Sequence, residues 1–129
     1  MKTNGDYFSR VQECMLLFLT NAAFLIQISL KSEENCQILH TLAASGEKCA
    51  YALWELLPNK DGTHLNPAFL RKATGEITRD LNQAKTDFLR LHRSLLLLSA
   101  YAPDASVRKL FMNLSKDTLR DIDLLKSIL

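Results

Sequence analysis

At 129 residues the chain fits one domain, residues 1–129, long enough to bury roughly two-thirds of its unfolded surface without a disulfide or metal staple. Apolar residues make up 47% and charged residues 23%, with 4 Gly and 3 Pro, a balance that excludes a disordered chain and a turn-rich all-β protein and leaves the all-α class. The formal net charge of +2 is too small to argue for a nucleic-acid partner, and no aromatic residues alternate with the bases as a strand-binding groove requires.

Asn4 and Gly5 precede Asp6, which reads as the N-cap of a first helix running to about Leu30. Its seam is Phe8, Val11, Met15, Phe18, Ala22 and Leu25. Off that seam it still carries Leu16, Leu17, Leu19, Phe24 and Ile26, more apolar surface than one face of a small bundle covers. The surplus predicts a homodimer packed through this helix, with Leu16, Leu19, Phe24 and Ile26 at the interface. A central position inside the monomer accounts for the same residues. From Cys14 to Leu30 no residue carries a formal charge, which reaches the lower edge of membrane-spanning length. Thr20, Asn21, Gln27 and Ser29 interrupt that stretch and Lys31, Glu33 and Glu34 close it as a soluble helix boundary does, so neither a membrane span nor a signal segment is expected.

Ser32, followed by Glu33 and Glu34, predicts a second helix start, because the hydroxyl caps free amides and the acids suit the positive end of the dipole. That helix runs to Leu57 with a seam of Leu39, Leu42, Gly46, Cys49, Leu53 and Leu56 or Leu57, and Pro58 ends it. Residues 58–63 read as a loop. Cys14, Cys36 and Cys49 are odd in number and lack a C-x-x-C spacing, which predicts packed small side chains in a reducing cytoplasm rather than a disulfide framework.

Asn66 before Pro67 fits a short helical turn to about Ala73, which Thr74 and Gly75 break before the main third helix from Glu76 to about Tyr101. Its apolar residues Ile77, Leu81, Ala84, Phe88, Leu91, Leu95 and Leu98 keep an unbroken four-three spacing, the pattern of a helix that faces another helix. Acids Glu76, Asp80 and Asp87 are interspersed among the bases Arg71, Lys72, Arg79, Lys85, Arg90 and Arg93, which predicts a solvated face with local ion pairs. Pro103 ends the helix, Asp104 caps the fourth, and Val107, Phe111, Leu114, Ile122, Leu125 and Leu129 carry its apolar side to the chain end. Asp117, Asp121 and Asp123 with Lys116 and Arg120 read as charge pairing on an exposed face.

The four elements predict an antiparallel four-helix bundle of two αα-hairpins. The hairpins also overlay: Phe18, Leu25 and Ile28 fall on Phe88, Leu95 and Leu98, while Leu39, Leu42, Leu53 and Leu57 fall on Phe111, Leu114, Leu125 and Leu129, weak support for a duplicated hairpin. Phe111 to Leu129 is similar to the closing helix of the ferritin and rubrerythrin family, in which a Phe precedes an acid-rich turn and a Glu-x-x-His pair. Gly46, Glu47, Lys48, Cys49, Ala50 and Leu53 echo the same motif in the second helix. The likeness covers residues 10–57 and 76–129, mostly at apolar positions. Carried across, the family's ligands are missing: Gly46 and Thr118 stand for glutamates, Cys49 and Asp121 for histidines, Ala84 or Lys85 for an acid of the third helix, and Glu13 alone matches. A di-iron site needs several carboxylates and imidazoles converging on one point. The resemblance therefore implies a ferritin-like scaffold without the oxidase, ferroxidase or storage function and without a cofactor. A short connection gives simple up-down-up-down order, and residues 58–75 cross the bundle only if the Thr74-Gly75 break is real.

Two other chemistries have weaker patterns. His40 opens His-Thr-Leu on a helix, much as the phosphoryl-accepting His does in histidine phosphotransfer bundles, which it resembles there, but Ala43 and Ala44 stand where that family has Lys and Gly. Cys36 and His40, four apart, share a helix face, and His92 is the residue that adds a third ligand for a metal, with His64 in a loop. Trp54, Tyr51 and Tyr101 are expected to seal one end of the bundle. The expected function is non-enzymatic: a bundle that dimerises or binds another protein.

Overall fold

The computed structural model describes residues 4–58 and 71–129, and among them finds four helices and no strand: α1 (Asn4–Ser29), α2 (Cys36–Trp54), α3 (Ile77–Ala100) and α4 (Ala105–Lys126). The predicted cap at Asp104 holds, and Glu76, expected as the first residue of the third helix, is its N-cap instead. Glu76 accepts from the Arg79 amide at 3.0 Å, and Asp104 accepts from the Val107 amide at 2.9 Å. Four predicted ends shift, the first being that of α2, which stops at Trp54 and closes with turns to Leu57. Asp6 lies in the first turn of α1 rather than at its cap, where its charge still suits the dipole. Ser32 does not cap α2, because residues 30–35 turn tightly and hand the N-cap to Asn35. Helix α4 stops at Lys126, leaving Leu129 46% exposed instead of buried.

The contacts between helices set their order. Gly46 of α2 lies against Phe18 and Ala22 of α1, and the Ser29 hydroxyl meets His40 Nε2 at 3.0 Å. This antiparallel register brings the end of α2 level with the first turns of α1. Gln27, near the end of α1, donates from Nε2 to the Arg71 carbonyl at 2.7 Å and accepts from the Ala73 amide at 2.9 Å. The chain thus leaves α2 at one end of the bundle and enters α3 at the other. Helix α1 packs against α2 and α3, and α4 packs against α3 and α2, so α2 and α3 run parallel on one diagonal in up-down-down-up order. The Thr74-Gly75 break is real: residues 71–76 are not helical, and Gly75 has φ +91°, a conformation that an L side chain strains to adopt. The predicted helical turn does not extend over 71–73, and its remainder, like Asn66 and His64, falls outside the described residues.

The core follows the four-three seams closely. Phe18, Phe88 and Phe111 occupy them with Leu25, Leu39, Leu42, Leu53, Leu91 and Leu95, all essentially inaccessible. The hairpin pairs Phe18/Phe88, Leu25/Leu95, Ile28/Leu98, Leu42/Leu114 and Leu53/Leu125 are buried on both sides, while Leu57 is buried and Leu129 is not.

Asp80 and Asp87 depart from the sequence pattern. Both are buried rather than on a solvated face, because the 71–76 segment folds back over them. Asp80 accepts from the Thr74 amide, the Thr74 hydroxyl and the Gly75 amide at 2.8–3.1 Å. Asp87 Oδ2 lies 3.2 Å from Arg71 Nε, with Gln83 at 3.2 Å and Arg90 at 3.8 Å from its other oxygen. Arg71 in turn covers the Phe24 ring, 5.8 Å from its centroid.

Candidate functional site

The positions that a metal-binding bundle uses come together where α2 meets α4. Ser45 Oγ donates to Asp121 Oδ2 at 2.6 Å, which ties the middle of α2 to the last turns of α4. Beside this bond lie buried Gly46, Cys49 and Thr118, and Thr118 spends its hydroxyl on the Leu114 carbonyl of its own helix at 2.9 Å. On α3 the matching position is buried Ala84, with Lys85 half-buried next to it. Glu13 on α1 is exposed. A Cβ built on Gly46 sits 3.5 Å from the Phe18 carbonyl and 3.7 Å from the Ala22 methyl, so α1 and α2 approach closely here with room for a methyl.

Burial sets the protonation of this layer. Burial first, then Cys49, pushes the Cys14 thiol up to about 12; burial first, then Asp121 and Asp117, does the same to Cys49. Both stay protonated at neutral pH and are not ready nucleophiles. Burial raises the Asp121 carboxyl from 3.8 to about 6, helped by Asp117 and opposed by the Ser45 hydrogen bond and Arg120. The predicted exposed charge cluster is therefore split: Arg120 pairs with Asp117, while Asp121 turns inward. A neutral thiol, a committed hydroxyl, a glycine and one carboxyl do not fit a di-iron centre, which needs several anionic oxygens and imidazoles.

Asp121 also makes a pH prediction. Its pKa is higher folded than unfolded, so its contribution to stability is full below about pH 4 and is lost as pH rises through 6. Asp121→Asn should therefore gain stability relative to the native chain between pH 4.5 and 7.5, read as the difference in urea midpoints at the two values. A difference that stays constant, or reverses, would contradict this.

The alternative ligands are not brought together. Cys36 and His40 sit in the first turns of α2, where His40 is exposed and bonded to Ser29. His92 lies well along α3 and meets the Ser115 hydroxyl of α4 through Nδ1 at 2.9 Å. Among the described residues no group of three or more His, Cys, Asp or Glu stands together as a metal site requires. At the bundle end Trp54 packs half-buried beside Tyr51, but Tyr51 and Tyr101 are exposed and do not seal it.

The surplus apolar surface of α1 is taken up inside the monomer. Phe24, 1% exposed, belongs to the core under Arg71 and is no interface residue; Leu16, Leu19 and Ile26 are partly buried and pack against the core. The span Asp6–Ser29 is long and apolar enough to cross a membrane by composition, but half of its most apolar window is buried in the bundle, as in a core helix. Leu30, just past the end of α1, is 80% exposed, and further exposed apolar surface lies on α3 and α4. Leu89 and Leu96 on α3 and Met112 and Leu119 on α4 are 41–47% exposed. Their signal in the sequence is a seven-residue spacing one step off each seam, which a search along the seams alone passes over. No protein family, no curated protein and no solved structure matches this chain.

Proposed function

We propose that this chain is a non-enzymatic bundle that works by binding another protein, on a ferritin-type scaffold without a di-iron centre. The observation that carries the reading is the apolar surface left on α3 and α4: Leu89 and Leu96, Met112 and Leu119, one heptad apart on each helix, are exposed, as is Leu97 on the outer face of α3, on a bundle that otherwise buries its seams. The scaffold part is supported by the up-down-down-up order with one crossing connection, the arrangement of ferritin-type bundles. The absence of catalysis is supported by the mid-bundle donors Cys49, Thr118 and Asp121, which are protonated, committed or alone. Three free thiols, two of them buried, suit a reducing cytoplasm.

Photo-crosslinking in the native cell tests this reading. A benzophenone side chain at Leu96 or Leu119 should trap discrete heavier species, whereas the same group at exposed Gln37 on α2 should not. Equal yields at all three positions, or none at Leu96 and Leu119 with the protein folded and abundant, would refute partner binding through this surface.

A further inference from the structure

The apolar residues on α3 and α4 border a single groove. Leu89 and Leu96 each follow a buried position, Phe88 and Leu95, by one residue; Met112 and Leu119 follow Phe111 and Thr118 in the same way. One residue turns the helix by about 100°. On α3 that turn leads toward His92 and on α4 toward Ser115, the pair whose hydrogen bond joins the two helices. The same antiparallel register sets Leu96 level with Met112 and Leu89 level with Leu119. The two apolar pairs stand roughly 10 Å apart along the groove, one heptad on each helix.

Charge is concentrated on the same flank. By helical spacing Lys85 and Arg93 on α3, and Arg108, Lys116 and Lys126 on α4, fall beside the groove, and Asp123 is the one acid there among the described residues. Away from the groove, cations meet acids: Arg71 and Arg90 pair with Asp87, and Arg120 pairs with Asp117. The modest net charge of the whole chain thus hides a local excess of cations around an apolar strip.

We infer that the α3–α4 groove receives an acidic amphipathic helix from another protein. Its apolar residues, at i, i+3 or i+4, and i+7, seat between the Leu89/Leu119 and Leu96/Met112 pairs, and its carboxylates face the cationic rim. Apolar anchors one heptad apart on both walls are what helix-in-groove recognition uses. Charge decides against a second copy: docked by two-fold symmetry through this groove, it sets Arg93 and Lys116 against cations of its twin. An anionic membrane surface is drawn to the same cations, but a flat bilayer meets a projecting face, whereas these anchors line the two walls of a groove.

This inference rests on the partner-binding reading and narrows it. The test is a nitrogen-15 NMR titration of the full chain with three probes. One is a helical peptide of about 20 residues with Leu at the anchor positions and Glu flanking them. The second has Lys in place of Glu, and the third is phosphatidylserine-containing vesicles. The acidic peptide should shift the amides around Leu89, Leu96, Met112 and Leu119, bind roughly tenfold more tightly than the basic one, and weaken as salt rises. The double substitution Arg93→Glu, Lys116→Glu, at exposed sites, should abolish that preference while circular dichroism and the thermal melt stay unchanged. Equal binding of both peptides, no shift at millimolar peptide, vesicle binding in their place, or dimerisation through the groove would each overturn the inference. Crosslinks at Leu96 and Leu119 without an acidic-peptide preference would remove the helix and leave partner binding standing; loss of the crosslinks removes both.

Discussion

Asp87→Ala should lower the stability of the bundle by about 2 kcal/mol, between the scales of an exposed and a fully buried ion pair, because Asp87 is buried while the Arg71 side chain is 37% exposed. Asp87 is 2% exposed and gathers Arg71, Gln83 and Arg90 around one carboxylate. Its removal leaves Arg71 Nε, itself shielded from water, with no counter-charge. The damage spreads because Arg71 covers Phe24 and because its carbonyl is held by Gln27, so the segment entering α3 loosens from the end of α1. Taking out both charges should hurt less than taking out one. The double variant Arg71→Met, Asp87→Leu exchanges the pair for apolar volume and should recover most of the loss. Urea denaturation of the native chain, Arg71→Met, Asp87→Leu and the double variant in a double-mutant cycle measures this directly. A single-variant loss under about 1 kcal/mol, in the range of exposed pairs, would show that the ion pair fastens nothing.

Asn21→Leu should raise stability, by about 1–3 kcal/mol. Asn21 is 2% exposed on α1, and neither its amide nitrogen nor its amide oxygen has a hydrogen-bond partner. The other polar residues of that helix are satisfied: Thr20 donates to the Leu16 carbonyl, Ser29 to the Ile26 carbonyl, and Gln27 grips the 71–73 backbone with both ends of its amide. Leucine has nearly the same size and needs no partner, so the substitution removes a desolvation cost without opening a cavity. A thermal melt and a urea titration test it together. Unchanged or reduced stability would mean that the amide bonds an ordered water in solution, and a high-resolution crystal structure would then show that water at Asn21.

Much of the architecture was legible from residue spacing alone. The seams on all four helices, the cap at Asp104, and the break at Thr74-Gly75 are local features, since hydrophobic period, cap chemistry and a glycine at positive φ act within a turn or two of chain. The mid-bundle positions Gly46, Cys49, Thr118 and Asp121 could also be placed from the helical spacing of α2 and α4. What spacing left open was which flank of a helix meets a neighbour. Periodicity places Leu16, Leu19, Phe24 and Ile26 off the first seam, but whether α2 and α3 cover them depends on a connection that crosses the bundle. Asp80 and Asp87 have the spacing of surface acids and become buried only because residues 71–76 return over them. Asp121 lies three residues from Thr118 on a charged helix, and its inward bond to Ser45 joins residues 76 apart in sequence. The groove between α3 and α4 is of the same kind: its four apolar residues are visible in the chain, yet they become one surface only through the register that His92 and Ser115 establish. Local chemistry sets which residues form helices, whereas long-range packing settles which of their remaining faces water reaches, because that depends on distant segments competing to cover the same surface.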